Sequence, residues 1–349
     1  MDRVLGSDPI DESSILSMCS KNKTKGKFMN KLNIMLIGCG RWGSFIGWYL
    51  DSLGHNVTIY GLSDAPSFIT LKETRKNEYL TLPDSIRLTS DITESLDKDV
   101  IIISINSQSL RSVCYELKEI GLQNKKIVLC MKGLEIETGK RLSEVVEEIV
   151  EQNNKVAVWI GPGHVQSFYE GIPNCMVIDS KDSETKDFII TNFSSDLIRF
   201  YYGNDIIGNE IGAATKNVIG IAAGLLDGFG LTSLKGALMA RGTREIARLI
   251  KALGGNELSA YGLCHLGDYE ATLFSKHSHN RQFGESFAKK ESFTYLAEGY
   301  YTLEALMKMN EKLNVDLPIC SALYDILYKN ADPKETMSHL FKRKLKEEF

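Results

Sequence analysis

Ile34-Met35-Leu36-Ile37-Gly38-Cys39-Gly40-Arg41-Trp42-Gly43 decides the fold of this chain. An apolar run leads into a Gly-x-Gly-x-x-Gly turn. A helix-like run, Ser44 to Leu53, follows it, and a second strand pattern spans His55 to Tyr60. Strand, glycine turn, helix and strand in that order form the unit that binds a dinucleotide. In such a unit Gly38 permits the tight turn, Gly40 lets the backbone approach a pyrophosphate, and Gly43 lets the helix pack closely on the strand. The helix start then presents free N–H groups and the positive end of its dipole to the phosphates. A glycine turn with only a structural role is the competing reading, and the surrounding βαβ pattern disfavours it.

The alternation continues outward. Asp99-Val100-Ile101-Ile102-Ile103-Ser104 is the unbroken β-branched run of a strand buried on both faces. Lys126 to Cys130 and Val156 to Ile160 repeat it, with helical patterns at Ser107–Ile120 and Arg141–Asn153 around them. Cys175–Ile178 and Ile198–Tyr202 read as later strands. Short connections between alternating elements imply an α/β fold, a doubly wound and mostly parallel sheet. Beyond Ile207 small residues and helix formers dominate. Asn209–Leu226, Gly236–Leu253, Tyr295–Leu313 and Leu317–Lys329 read as helices of an all-helical C-terminal domain. The expected organisation is a flexible extension over 1–31, a Rossmann domain over 32–207 and a helical substrate domain over 208–349. The cleft between the last two is the expected site.

Composition sets the class. The chain has 349 residues, 43% hydrophobic and 25% charged, with a net charge of −4. No global basic field points to nucleic acid. No apolar run approaches the roughly 20 residues that span a bilayer. The seven cysteines form no Cys-x-x-Cys pair and are odd in number, so they read as reduced thiols in a cytoplasmic protein. His265, His277 and His279 match no zinc spacing, and no metal is expected.

Several residues carry chemistry. Lys216 lies among Gly212-Ala213-Ala214-Thr215 and Asn217-Val218-Ile219-Gly220. On a tightly packed helix it is either a solvent-facing lysine or a buried one, whose lowered pKa suits proton exchange near neutrality. Lys132 follows the Lys126–Cys130 strand, at the sheet edge where α/β ligands bind, although surface lysines are also common there. Gly161-Pro162-Gly163-His164 ends the Val156–Ile160 strand, as an anion-holding helix start or a plain turn. Asn280 with Arg281 reads as a phosphate or carboxylate clamp.

Taken together, these motifs resemble the NAD(P)-dependent sn-glycerol-3-phosphate dehydrogenases, above all the bacterial ones. The resemblance runs from about Asn33 to Leu327. It includes the glycine turn with Trp42, Arg75, Asn77 and Tyr79-Leu80 ahead of Leu82-Pro83, and Lys132-Gly133-Leu134-Glu135. It continues through Gly161-Pro162, Glu210 to Asn217, Arg241-Gly242-x-x-Glu245, Leu266-Gly267-Asp268, Asn280-Arg281-x-Phe283-Gly284 and Glu298-Gly299. It implies Lys216 as the lysine that exchanges a proton with the substrate oxygen, Lys132 as a second, substrate-orienting lysine, and Asp268 as the acid that holds lysine and substrate hydroxyl. It also implies Gly161, Asn217, Thr272, Ser278, His279, Asn280 and Arg281 as substrate positions. Gly38, Gly40, Arg41, Trp42, Gly43, Lys132 and Glu298 are the implied cofactor positions. The implied substrate is small and phosphorylated, and the implied assembly is a homodimer. His279 stands where the family usually has arginine, Gly163 where it has serine, and Arg41 where it has serine before the tryptophan. These departures keep open a dehydrogenase acting on a different small phosphorylated keto substrate, and an inactive dinucleotide-binding sensor. The second strand ends Tyr60-Gly61-Leu62, with neither an acid for a ribose hydroxyl nor an arginine for a 2′-phosphate. NAD is therefore the expected cofactor, with NADP the alternative.

Overall fold

The glycine turn joins β1 (Asn33–Ile37) to α1 (Arg41–Ser52), and β2 (Asn56–Tyr60) runs parallel to β1. The computed structural model describes residues 31–151, 153–345 and 347–348. The extension expected over 1–31 thus lies outside the described residues, apart from Lys31. An eight-stranded sheet is completed by β3 (Arg87–Thr89), β4 (Val100–Ile103), β5 (Lys126–Leu129), β6 (Lys155–Ile160), β7 (Asn174–Ser180) and β8 (Ile198–Tyr202). Its order is β3-β2-β1-β4-β5-β6-β7-β8. Every pair is parallel except β6 with β7, which is antiparallel.

The two-residue period of the strands sorts their side chains between two cores. Ile34, Leu36, Val100, Ile102, Val128 and Trp159 pack on one face. Met35, Ile37, Ile101, Ile103, Ile127 and Leu129 pack on the other. All of β4 is buried, which explains its lack of polar alternation. Each such side chain adds roughly 1.5–3 kcal/mol of burial. Helices α2 (Pro66–Thr74), α3 (Leu110–Glu119), α4 (Leu142–Ile149), α5 (Val165–Tyr169) and α6 (Ser183–Phe193) belong to this half.

The C-terminal half is helical. It begins with α7 (Ile206–Gly228), whose N-cap Asp205 accepts from the Gly208 amide at 3.1 Å. There follow α8 (Lys235–Ala252), α9 (His279–Lys289), α10 (Glu298–Leu313), α11 (Pro318–Tyr328) and α12 (Pro333–Phe341). Close approach of α7 and α9 explains the small residues of the long helix. A Cβ on Gly224 would meet the Arg281 carbonyl oxygen at 1.9 Å, and one on Gly284 would meet that of Ile221 at 2.1 Å. A buried ion pair ties the halves together. Arg141 Nη1 donates to Glu210 on α7 at 2.6 Å, and the Ser143 amide and hydroxyl donate to the same carboxylate. Among the described residues no helix is long and apolar enough to cross a membrane.

Candidate active site

A cleft of about 1010 Å³ lies along the carboxyl ends of the strands, between the sheet and the helical half. Ligands of doubly wound sheets bind there because the strand order reverses between β1 and β4. Three loops supply one wall: the glycine turn after β1, Ser104–Asn106 after β4, and Cys130–Lys132 after β5. Gly38 has φ +111°, and a Cβ on it would meet the Ser104 carbonyl oxygen at 2.2 Å. Gly40 caps α1, and a Cβ there would meet nothing within 4 Å. The first turn of α1 holds no acidic residue. Open space, free amides and the positive end of a helix dipole suit a pyrophosphate. Arg41 and Trp42 line this end of the cleft, with the Arg41 guanidinium 5.4 Å over the Tyr79 ring.

The floor is built from three charged side chains on separate elements. Asp268 Oδ2 accepts from Lys132 Nζ at 2.6 Å and lies 3.0 Å from Lys216 Nζ. Lys132 also donates to the Gly161 carbonyl at 2.8 Å. Lys216 is 6% exposed and Asp268 1%. Between the two positions left open for Lys216, the packing of α7 selects the buried one. Burial pulls the Lys216 ammonium down to about 8; the Asp268 carboxylate opposes that fall and Lys132 adds to it. Thr272 sits in a π-helical turn, Glu270–Phe274. Its hydroxyl accepts from Lys216 at 2.6 Å and donates to the Asp268 carbonyl at 2.7 Å.

The remaining expected positions separate into two groups. Asn217, Ser278, His279 and Asn280 line the cleft with Thr272. Ser278 caps α9, accepting from the Arg281 amide, and the His279 ring stacks on Tyr295 with centroids 5.0 Å apart. Burial, followed by the Arg41 charge, lowers the His279 pKa. The Asn280 side-chain oxygen accepts from the Gly299 amide at 2.8 Å. Glu298 lines the cleft and accepts from the Ser107 hydroxyl at 2.7 Å; burial raises its pKa. Arg281, expected as part of a phosphate or carboxylate clamp, is placed differently from these. It lies one residue past the cleft wall, and its Nη1 bonds Asp227 and Glu285, each at 2.8 Å. Nε donates to the Ser275 carbonyl. Nη1 and Nε of the fork are thus engaged within the protein. His265 is buried, its two ring nitrogens engaged by the Gly212 carbonyl and the Tyr269 hydroxyl.

The comparisons with known proteins come out on one side. Residues 33–186 match the family model for the NAD-dependent glycerol-3-phosphate dehydrogenase N-terminus, and 205–338 the model for its C-terminus. Glycerol-3-phosphate dehydrogenase (NAD(P)+) of Chlorobium phaeobacteroides (strain BS1) is 34% identical over 334 residues, 91% of this chain and 99% of that protein. The chain belongs to the NAD-dependent glycerol-3-phosphate dehydrogenase family. Within that family, the enzyme of Fusobacterium nucleatum is 34% identical over 332 residues, with the same coverage. The crystal structure of the glycerol-3-phosphate dehydrogenase of Coxiella burnetii superimposes with a TM-score of 0.83 at 25% identity, covering 90% of this chain and 99% of that one. The family's Rossmann domain binds NAD(P), and its members are oxidoreductases acting on CH–OH groups.

One group of the cleft goes unmarked in the sequence reading. Asn106 lines the cleft and follows β4 as Lys132 follows β5, so strand-end position is the available signal. Tyr79 belongs to the resemblance, on a loop after α2, but nothing local marks it as a partner of Arg41.

Proposed function

We propose that this chain catalyses reversible hydride transfer between nicotinamide and dihydroxyacetone phosphate or sn-glycerol 3-phosphate, with Lys216 as the proton donor and acceptor. The observation that carries the reading is the Lys132–Asp268–Lys216 cluster at the floor of a cleft whose other end is a dinucleotide turn.

When bound, the reduced nicotinamide supplies the hydride. The chain's own residues answer the charge that then develops on the carbonyl oxygen. Two ammonium groups share one carboxylate, so the floor keeps a net positive charge. A preorganised cationic site of this kind stabilises a developing alkoxide without reorganisation. Near pH 7 Lys216 is protonated, and with a pKa of about 8 it gives up its proton readily. Asp268 and Thr272 hold Nζ in place before and after the transfer. In the reverse direction neutral Lys216 takes the proton, so alcohol oxidation gains with rising pH. Lys132, fixed by Asp268 and the Gly161 carbonyl, orients the carbonyl oxygen. Asn217, Asn280, Ser278 and His279 supply polar contacts to the rest of the substrate.

We read the cofactor preference as NAD, because the end of β2 presents Gly61 and an exposed Leu62 rather than a cation. The six cysteines among the described residues are all free, in keeping with a cytoplasmic enzyme. Exposed Leu258, Tyr261 and Phe274 on the helical half favour a homodimer. The test of the reaction is NADH oxidation driven by dihydroxyacetone phosphate, with sn-glycerol 3-phosphate identified as product. Turnover of other keto substrates alone would replace the substrate assignment.

A further inference from the structure

Two cleft-lining residues carry a buried polar atom with no hydrogen-bond partner among the described residues: Asp268, at Oδ1, and His164, at Nε2. A buried polar atom left unpaired is costly, and at a cleft floor the missing partner is a ligand atom. We propose that His164 is a specificity-determining residue, whose Nε2 hydrogen-bonds the free hydroxyl of the substrate. The proposal rests on the reaction given above, in which that hydroxyl is carried by the carbon next to the reacting carbonyl.

The loop after β6 aims the ring. Gly163 has φ +145°, and a Cβ there would meet the Phe168 ring at 2.3 Å. The position therefore excludes a side chain, and the next residue is the first able to reach the cleft. His164 caps α5 in extended conformation, and its carbonyl accepts from the Phe168 amide at 3.1 Å. The charged and titratable groups around the ring are Lys216, Arg41, Asp268 and His277, the last with its centroid 6.1 Å away. Burial first, then the Lys216 and Arg41 charges, pushes the ring down to about 4, so it is neutral at any working pH.

A neutral imidazole offers one donor and one acceptor. A hydroxyl complements either, whereas a phosphate offers acceptors only and favours a cation. The phosphoryl end has a better place at the start of α9, where His279 and Asn280 line the cleft. His164, beside Lys216 and Asp268, belongs to the reacting end. Sites built to hydrogen-bond a substrate hydroxyl reject the analogue that lacks it.

The experiment compares dihydroxyacetone phosphate with hydroxyacetone phosphate, in which the free hydroxymethyl is a methyl, in the wild type, His164→Phe and His164→Gln. Wild type is expected to favour dihydroxyacetone phosphate in kcat/KM. His164→Phe is expected to lose about 10- to 100-fold on that substrate and under threefold on the methyl analogue. His164→Gln, whose amide nitrogen reaches nearly as far as Nε2, is expected to keep most of the preference. NADH binding by fluorescence checks that each variant is folded. Equal losses on both substrates, no loss on either, or a phenylalanine-like result for His164→Gln would overturn the assignment of His164. A wild type inert toward both substrates would instead overturn the reaction itself, and the assignment with it.

Discussion

Replacing Lys216 by methionine separates stability from catalysis. Burial moves its ammonium from 10.5 in the unfolded chain to about 8 in the fold. Between those values the unfolded chain holds a proton that the folded chain does not, so stability rises with pH across that window. Below pH 8 the full cost stands, about 3 kcal/mol. Methionine fills similar space without the charge. It forfeits the bond to Thr272 and the contact with Asp268, which keeps Lys132 at 2.6 Å. Lys216→Met is therefore expected to be about 1–3 kcal/mol more stable than wild type at pH 7. That advantage should shrink by about 2–3 kcal/mol by pH 10, as wild type sheds its cost. Over the same comparison kcat should fall about 10²- to 10⁴-fold, with NADH affinity nearly unchanged. Urea unfolding at a series of pH values, beside initial rates, reads all of this. A variant less stable than wild type at pH 7, with an offset flat to pH 10, would refute the buried, depressed lysine.

Other outcomes follow from the same geometry. Asp268→Asn removes the group that holds the Lys216 pKa up, so the alkaline fall in ketone reduction should move below pH 8, and kcat should drop; an unmoved pH profile would count against the coupling. Gly38→Ala should destabilise the fold as well as cofactor binding, because its Cβ would meet the Ser104 carbonyl oxygen. Gly40→Ala should unfold like wild type but bind NADH about 10- to 100-fold more weakly, its Cβ occupying phosphate space. Titration of NADH fluorescence and thermal unfolding distinguish the two variants. Glu210→Ala leaves buried Arg141 without its 2.6 Å partner and should cost about 3–5 kcal/mol in urea unfolding.

Much of the sheet half was legible because its signals are local. The runs at Val100–Ile103 and Ile127–Leu129 are apolar on both faces, and the glycine turn announces its own geometry. The α7 helix was readable from its small residues, with ends within a few positions of Ile206 and Gly228. The antiparallel β7 was not, since a strand's direction depends on how the chain crosses back, here through the short α5. Nor was α9 read as a helix: Ser278-His279-Asn280-Arg281 drew attention as chemistry, and its apolar stripe is short and only partly buried. Of the two acidic partners of Arg281, Glu285 is a local i,i+4 neighbour, whereas Asp227, 54 residues away, lies beyond local pattern. Burial of Lys216 was undecidable from spacing. It depends on α9 and the π-helical turn at Glu270–Phe274 closing over α7, which no periodicity expresses.

The decisive measurement is the initial rate of NADH and NADPH oxidation at 340 nm with dihydroxyacetone phosphate, run with wild type and Lys216→Met side by side. Rapid wild-type turnover with NADH preferred, sn-glycerol 3-phosphate as product, and near-complete loss in the variant are expected. Absence of wild-type turnover with NADH bound, or a variant as active as wild type, would contradict the proposed function.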